Sequence, residues 1–329
     1  MNVYDTIIVG AGPVGLFAAF NAGMRKLDAV VLESLPYIGG QLTTIYAEKP
    51  IYDVPGFSSI KAKDFIRALY DQYARFQESI PLFTDCKVIR VWPWDHGYRV
   101  ETAQGTFYGK TLLFSSGNGD YNPRKLPLKN ADSFTNIHYR LAELAPFQDK
   151  RVVVLGGGDS AVDLALLLRT VTPSVTLVHR RDEFRAHGNT VDELKAVATV
   201  LTPYQPIELR GENGLVSEVI IQHREFPERT QSLPVDAILV NYGFLPAPAR
   251  YQELGIQLVE GKIPVNSQMV SAIPNLFAAG NITNYPGKIT TLAVGLGEAV
   301  IAISSINQYL HPEQSLPPLY SSLSMAPKR

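Results

Sequence analysis

The chain has 329 residues, of which 46% are hydrophobic and 19% charged, enough for about two domains of ordinary globular balance. Its 30 basic residues face 31 acidic ones for a net charge of −1, so the bulk charge recruits neither nucleic acid nor an anionic membrane. One cysteine, Cys86, excludes an intrachain disulfide, a Cys-x-x-Cys redox pair and a cysteine-cluster metal site. With no basic leader before the first apolar run and no apolar run of the roughly 18 residues a membrane helix needs, the reading is a cytoplasmic protein with no metal, nucleic-acid or membrane partner.

The first unit reads as strand, turn, helix, strand. Thr6-Ile7-Ile8-Val9 is a short apolar run of the kind buried on both faces of a parallel sheet. Gly10-Ala11-Gly12-Pro13-Val14-Gly15 follows, then a helix to about Arg25 and a strand at Ala29-Val30-Val31-Leu32 that ends in Glu33. Leu112-Leu113-Phe114-Ser115-Ser116-Gly117 reads as a further strand leading into small residues and a glycine.

The same grammar then returns. Val152-Val153-Val154-Leu155 is a strand, Gly156-Gly157-Gly158-Asp159-Ser160-Ala161 a turn, Ala161 to about Arg169 a helix, and Val175-Thr176-Leu177-Val178 a strand that ends in His179. Ile238-Leu239-Val240-Asn241-Tyr242-Gly243 closes this copy as Leu112–Gly117 closes the first. Leu276-Phe277-Ala278-Ala279-Gly280-Asn281 and a helix from about Leu292 to Tyr309 come after it. The tail from His311 holds Pro312, Pro317, Pro318 and Pro327 and cannot be one regular helix. The expected fold class is α/β, with two Rossmann-like dinucleotide-binding domains, the second inserted in the first. Residues 1–118 and 245–329 would form the outer domain and 119–244 the inserted one. Hinges are expected near Gly117-Asn118-Gly119 and after Gly243.

The glycine turns carry the chemistry. Gly10 permits the tight turn, Gly12 lets a pyrophosphate approach the backbone, and Gly15 lets helix pack close to strand. The helix start, with Pro13 in it, offers free N–H groups to phosphates. Glu33 lies 18 residues beyond Gly15, where a carboxylate accepts from ribose hydroxyls. A lone GxGxxG is often only a turn, but here strand, turn, helix, strand and acid agree. The second turn uses Gly156, Gly158, Asp159, Ser160 and Ala161, and at the position of Glu33 the chain has His179-Arg180-Arg181, then Arg185. A carboxylate there would repel a 2′-phosphate, whereas guanidinium groups bind one through charge-assisted hydrogen bonds. The rival reading is a solvated basic surface. FAD is therefore expected to stay in the first site and NADPH to exchange at the second, so that a bound flavin takes hydride and releases electrons singly or in pairs.

These residues resemble the thioredoxin-reductase-like class of ferredoxin(flavodoxin)–NADP⁺ reductases over nearly the whole chain. The resemblance rests on both glycine turns and on Gly39-Gly40-Gln41-Leu42, Tyr46-Ala47-Glu48-Lys49, Ile51-Tyr52-Asp53-Val54, Gly117-Asn118-Gly119, Pro123-Arg124-Lys125-Leu126, His179-Arg180-Arg181 and Val240-Asn241-Tyr242-Gly243-Phe244. It implies a homodimer that passes electrons between NADPH and ferredoxin or flavodoxin through FAD, with the flavin carrying the chemistry and no side chain acting as nucleophile or base. It implies that Gly40, Gly117 and Gly280 join the FAD site, that Glu33 and Gln41 hold the adenosine and pyrophosphate side, and that Tyr46 stacks on the isoalloxazine. It further implies that Val88 offers backbone to the adenine, Tyr121 lies near the flavin, and position 281 bonds the ribityl chain. Tyr320, with Ser322 beside it, would come from the partner subunit's C-terminal extension to cover the other flavin face. The chain departs from the family in having Asn281 for aspartate, Ala47 for proline and Tyr320 for histidine.

Other residues have plainer readings. Cys86 is expected to be a small buried hydrophobe, and His138, His187 and His223, which lack metal-ligand spacing, are expected to be packing or surface residues. Lys61, Lys63, Arg124 and Lys125 would attract an acidic carrier if free, although solvated lysines are the default. Two rival functions stay open: a low-molecular-weight disulfide reductase with one cysteine, and a flavin redox sensor that signals without turnover.

Overall fold

A computed structural model of the chain describes residues 2–44, 47–117, 119, 122–141, 143–245 and 257–313. The apolar strand β1 (Val3–Val9) runs parallel to β2 (Ala29–Leu32), with α1 (Pro13–Met24) as the crossover. All of β2 and the last four residues of β1 are buried, as in a strand covered on both faces. The short helix α2 (Gln41–Thr44) precedes α3 (Ala62–Tyr73), which buries Ala62, Phe65, Ile66, Leu69 and Tyr73, the spacing of one helical face. The strand β3 (Leu82–Phe83) then pairs with β2. The strands β4 (Val88–Trp94), β5 (Gly97–Thr102) and β6 (Gly105–Phe114) form an antiparallel meander whose last strand returns beside β1.

The second half repeats this plan. After β7 (Ile137–His138) come β8 (Val152–Leu155), α4 (Asp159–Leu168), β9 (Val175–Val178), α5 (Gly188–Val197) and β10 (Thr199–Leu201). Three antiparallel strands, β11 (Tyr204–Glu212), β12 (Leu215–His223) and β13 (Thr230–Pro234), lead into β14 (Ala237–Val240). The parallel sheet has the order β7-β14-β8-β9-β10. Its two faces alternate residue by residue. Val152, Val154, Ala237 and Leu239 join the core under α4 and α5, while Val153, Leu155, Ile238 and Val240 join the core under the antiparallel strands. That alternation is the period of two expected of a strand.

The chain then returns to the first sheet through β15 (Leu276–Ala278) and ends its described part with α6 (Leu292–Leu310). One edge of β6 pairs with β1. Its other edge is shared: Gly105–Gly109 pair with β5 and Leu112–Phe114 with β15. The parallel order is thus β3-β2-β1-β6-β15, the counterpart of β10-β9-β8-β14-β7. Contacts divide the chain into two compact units, Met1–Asp120 with Pro246–Arg329, and Tyr121–Leu245.

The strands read from the apolar runs lie where expected with small shifts at their ends, except that the strand read at Leu112 is the end of β6, which starts at Gly105. β1 starts at Val3 because Val3 and Tyr4 pair with Tyr108 and Gly109. α4 starts at Asp159 rather than Ala161, since Gly158 is its extended N-cap. Among the described residues no helix is long and apolar enough to cross a membrane, and no group of three His, Cys, Asp or Glu residues could hold a metal.

At the base of the second sheet, Asp236 ties β14 to β8. Its carboxylate accepts from the Arg151 backbone N–H at 2.8 Å and from the Arg151 guanidinium at 3.0 and 2.7 Å. The guanidinium hydrogen bonds lower its pKa to about 2. A depressed carboxylate stabilises the fold above its ordinary pKa of 3.8, and that contribution is lost as pH falls through about 2. Both side chains are more than a third exposed, so screening limits the effect to about 1 kcal/mol or less. Asp236→Asn should lower stability by that amount at pH 7 and flatten the fall between pH 4 and pH 2, as read by denaturant midpoints across that range.

Candidate functional site

Each glycine turn sits at the carboxyl end of the central strand of its parallel order, β1 or β8, where the chain continues to strands on both sides. In open α/β sheets this is the place where ligands bind. Gly10 has φ +104°, and a Cβ there would lie 2.9 Å from the Ser115 carbonyl oxygen. A Cβ on Gly15 would lie 1.8 Å from the Gly10 carbonyl oxygen. Ser115 fastens the turn, its hydroxyl lying 3.0 Å from the Val9 carbonyl oxygen and 2.9 Å from that of Gly10. Gly12 is different: a Cβ there would meet nothing within 4 Å. It caps α1, whose first turn holds Pro13, no acid and no capping side chain. Open space therefore faces uncapped N–H groups, as an anionic ligand requires. Gly40 approaches from the far side, its Cβ position 3.4 Å from the Gly12 Cα.

Glu33, only 5% exposed, has a role that the spacing did not reveal. Its carboxylate accepts from Ala11 N–H at 2.7 Å, from Leu35 N–H at 2.9 Å and from the Ser34 hydroxyl at 3.3 Å. Burial pushes its carboxyl above the ordinary range, while those hydrogen bonds pull it back. Three of the roughly four acceptor sites of a carboxylate are thus engaged, and Glu33 holds the glycine turn to the end of β2 before any ligand arrives. The Glu33 carbonyl also accepts from Cys86 N–H at 2.8 Å, which draws the start of β4 and the buried Val88 to the same strand end. Gln41 and Asn281 are half-buried, and their side chains have no hydrogen-bond partner among the described residues. Gly117 and Gly280 are both left-handed, at φ +61° and +85°. Tyr46, Tyr121, Tyr320 and Ser322 lie outside the described residues.

The second turn is built alike. Gly156 has φ +152°, and its Cβ position lies 2.5 Å from the Asn241 carbonyl oxygen, just as that of Gly10 lies on Ser115. The Ala161 methyl stands where Gly15 stands in the first turn, 2.9 Å from the Cβ position of Gly156. Gly158 caps α4 with open space before it. Asp159, in the first turn of α4, accepts from His187 N–H at 3.2 Å. The His179 ring packs under the turn, against the Cβ position of Gly157 at 2.3 Å and against Phe184. Its Nε2 is 3.1 Å from the Glu183 carbonyl oxygen. Burial, with the three neighbouring arginines, lowers its pKa. Arg180, Arg181 and Arg185 are exposed, and among the described residues no carboxylate pairs with them. Arg180 faces Tyr242, whose phenol burial pushes up to about 12 against the pull of the guanidinium.

The remaining residues take structural roles. Cys86 is 1% exposed beside the Thr102 hydroxyl at 3.4 Å, and burial pushes its thiol up. His223 Nδ1 accepts from the N–H groups of Glu225 and Phe226, and His138 packs on Phe147. Lys61 and Lys63 both pair with Glu48, and Lys125 with Asp132, so they are not free cations. Ser115 and Glu298 were not read from the sequence. Ser115 gave no signal beyond lying after an apolar strand. Glu298 did give one: it is the one charged residue of the 19-residue helix α6.

The donor set fits two dinucleotides: open N–H groups at two helix starts, a carboxylate on one second strand and exposed guanidinium groups on the other. A fold and paired site of this kind define a two-nucleotide oxidoreductase. Residues 4–303 match the family described as pyridine nucleotide-disulphide oxidoreductase. The ferredoxin–NADP reductase of Geobacillus thermodenitrificans is 40% identical over 324 residues, covering 98% of this chain and 97% of that protein. Ferredoxin–NADP reductase 2 of Bacillus subtilis is 41% identical over the same coverage. In fold the chain is similar to Lactococcus lactis thioredoxin reductase, with a TM-score of 0.78 at 23% identity over 94% of this chain and 99% of that one. The chain belongs to the pyridine nucleotide-disulphide oxidoreductases and, among them, to the ferredoxin–NADP reductase family.

Two glycine variants separate binding from folding. Gly12→Val places its side chain in open space, so far-UV circular dichroism should stay native while bound flavin is lost from the purified protein. Gly15→Ala drives a methyl into backbone and should lower the melting temperature of the apoprotein, since the adjacent helix must shift.

Proposed function

We propose that the protein is an FAD-dependent ferredoxin–NADP⁺ reductase that holds FAD in the unit containing β1 and exchanges NADPH at the unit containing β8. The observation that carries the assignment is the difference between two turns otherwise built alike. A buried carboxylate, Glu33, follows the first, and exposed arginines with no carboxylate partner among the described residues follow the second. When bound, FAD supplies the exchange between a two-electron hydride donor and a one-electron carrier. This chain's residues do the rest. Gly12 and the start of α1 receive the pyrophosphate, Gln41 and Asn281 offer their amides to it and to the ribityl chain, and the Val88 backbone offers itself to the adenine. Tyr46, Tyr121, Tyr320 and Ser322, outside the described residues, complete this proposed set. On the other unit Gly158, Asp159, Ser160 and Ala161 begin the helix that takes the NADPH pyrophosphate, with Gly156 shaping the turn.

The electron partner in this reading is ferredoxin, with flavodoxin as its substitute, and the assembly is a cytoplasmic homodimer. Support for the partner is the name carried by relatives at about 40% identity. The buried thiol of Cys86 stands against the disulfide-reductase reading, because a low-pKa, accessible thiolate is what attacks a disulfide. Reduced ferredoxin or flavodoxin should accumulate with steady NADPH oxidation, and disulfides offered side by side should give no turnover above background. A rate with disulfides that exceeds the rate with both carriers would overturn the assignment, and NADPH consumption that stops after one turnover would favour a sensor.

The arginines and the cysteine give sharper tests. Arg180→Ala with Arg181→Ala should raise the KM for NADPH tenfold or more while leaving that for NADH nearly unchanged, since charge-assisted hydrogen bonds are worth about 1.5–3 kcal/mol each. Equal effects on both dinucleotides would make these arginines structural. Cys86→Ser should keep turnover with ferredoxin, and its loss at normal FAD content would bring the thiol into the chemistry.

A further inference from the structure

Glu298 lies in the middle of α6, a helix with no other charged residue, and is 2% exposed. A carboxylate so placed is strongly disfavoured unless its partners compensate it. It has partners on both oxygens. One accepts from the backbone N–H of Gly280 at 2.7 Å and lies 3.5 Å from the Thr283 hydroxyl. The other accepts from the Tyr285 hydroxyl at 2.5 Å and from the Lys288 ammonium, which is itself 8% exposed. Burial and the adjacent carboxylate push the Tyr285 phenol up to about 12, so it remains a donor.

All three donors, and Thr283, lie on the connection between β15 and α6, the segment that carries Asn281. It is held at its start as well. Thr283 donates to the Gly280 carbonyl oxygen through its hydroxyl at 2.7 Å and its N–H at 3.1 Å. Thr283 and Asn284 pair with Ile263 and Pro264. Gly280 also rests on Val14, the second residue of α1: its Cβ position lies 3.1 Å from a Val14 methyl, and that of Gly295 in α6 lies 2.9 Å from it. The turn before Asn281, the first turns of α1 and the N-terminal part of α6 are thus packed on one side chain, two residues from the open face of Gly12. A lone buried carboxylate fixes that junction by an N–H at one end and a buried ammonium at the other.

We propose that Glu298 is a positioning residue of the flavin site: by holding Gly280 and Lys288 together it sets where Asn281 meets the ribityl chain. This rests on the reading that the unit containing β1 binds FAD. Glutamine at position 298 keeps an acceptor for Gly280 but turns an amide N–H toward the Lys288 ammonium, donor against donor. Removing the ammonium as well lets Tyr285 accept from that amide.

The test uses the full chain, stripped of FAD and titrated with it, with NADP⁺ titrated in parallel. Glu298→Gln should raise the FAD dissociation constant at least tenfold and change the visible circular dichroism of the bound flavin. Glu298→Gln with Lys288→Met should return to within threefold of the unaltered protein. Glu298→Ala with Lys288→Met, which leaves the Gly280 N–H without an acceptor, should bind at least tenfold more weakly than that double variant. NADP⁺ affinity should not move in any of them. If Glu298→Gln alone does not fold, the two double variants decide the matter by themselves. FAD binding within threefold in every folded variant with an unchanged flavin spectrum, or a loss in Glu298→Gln that the second substitution does not recover, overturns the role of Glu298. Failure of the unaltered protein to bind FAD would instead overturn the underlying assignment.

Discussion

Both units depend on the same close approach. A glycine leaving the first strand must lie against the backbone carbonyl of the residue that follows the closing strand, Gly10 on Ser115 and Gly156 on Asn241. Any side chain at either glycine would push the first strand from its neighbour. The approach sets the sharp exit that aims the following helix at the space before Gly12 and before Gly158. The parallel pairing of β1 with β6 and of β8 with β14 places those carbonyls at the required depth. Strand register, turn conformation and ligand space are therefore one constraint, met twice by one chain.

On that shared geometry the second strand makes the difference. After β2 the chain delivers a carboxylate that turns inward and bonds the Ala11 N–H. After β9 it delivers a histidine that packs under the turn and arginines that stay in solvent. The first arrangement suits neutral ribose hydroxyls and a resident ligand, because the carboxylate is already locked and loses little freedom on binding. The second suits a 2′-phosphate, with guanidinium groups free to close on a ligand that arrives and leaves.

Much of this was legible in the sequence because the signals are local. The four-residue apolar strands, the glycine spacings and the residues at the second strand ends follow from short stretches whose period and punctuation have direct physical meaning. The antiparallel strands between β4 and β6 and between β11 and β13 were not read. They are half-exposed, and their pairing depends on partners across hairpins rather than on apolar runs. His179 is expected among the ligand-binding residues by its position, and its ring also packs under Gly157, a contact across 22 residues that spacing does not encode. The buried network around Glu298 was equally hidden, although its lone charge in an apolar helix was in plain view. An isolated acid at an apolar position means either exposure or a compensating cation, and only the fold shows that Lys288 reaches it.

On this reading one chain carries two dinucleotide sites of opposite selectivity, one that retains its ligand and one that exchanges it. The most direct measurement of this is binding stoichiometry on the purified protein: FAD from the visible spectrum after denaturation, and NADP⁺ and NAD⁺ by calorimetry on the yellow holoprotein. One FAD per chain, one NADP⁺ per chain and at least tenfold weaker NAD⁺ is the expected result. A colourless protein that cannot be reconstituted with FAD, or a holoprotein that binds NAD⁺ as tightly as NADP⁺, would contradict it.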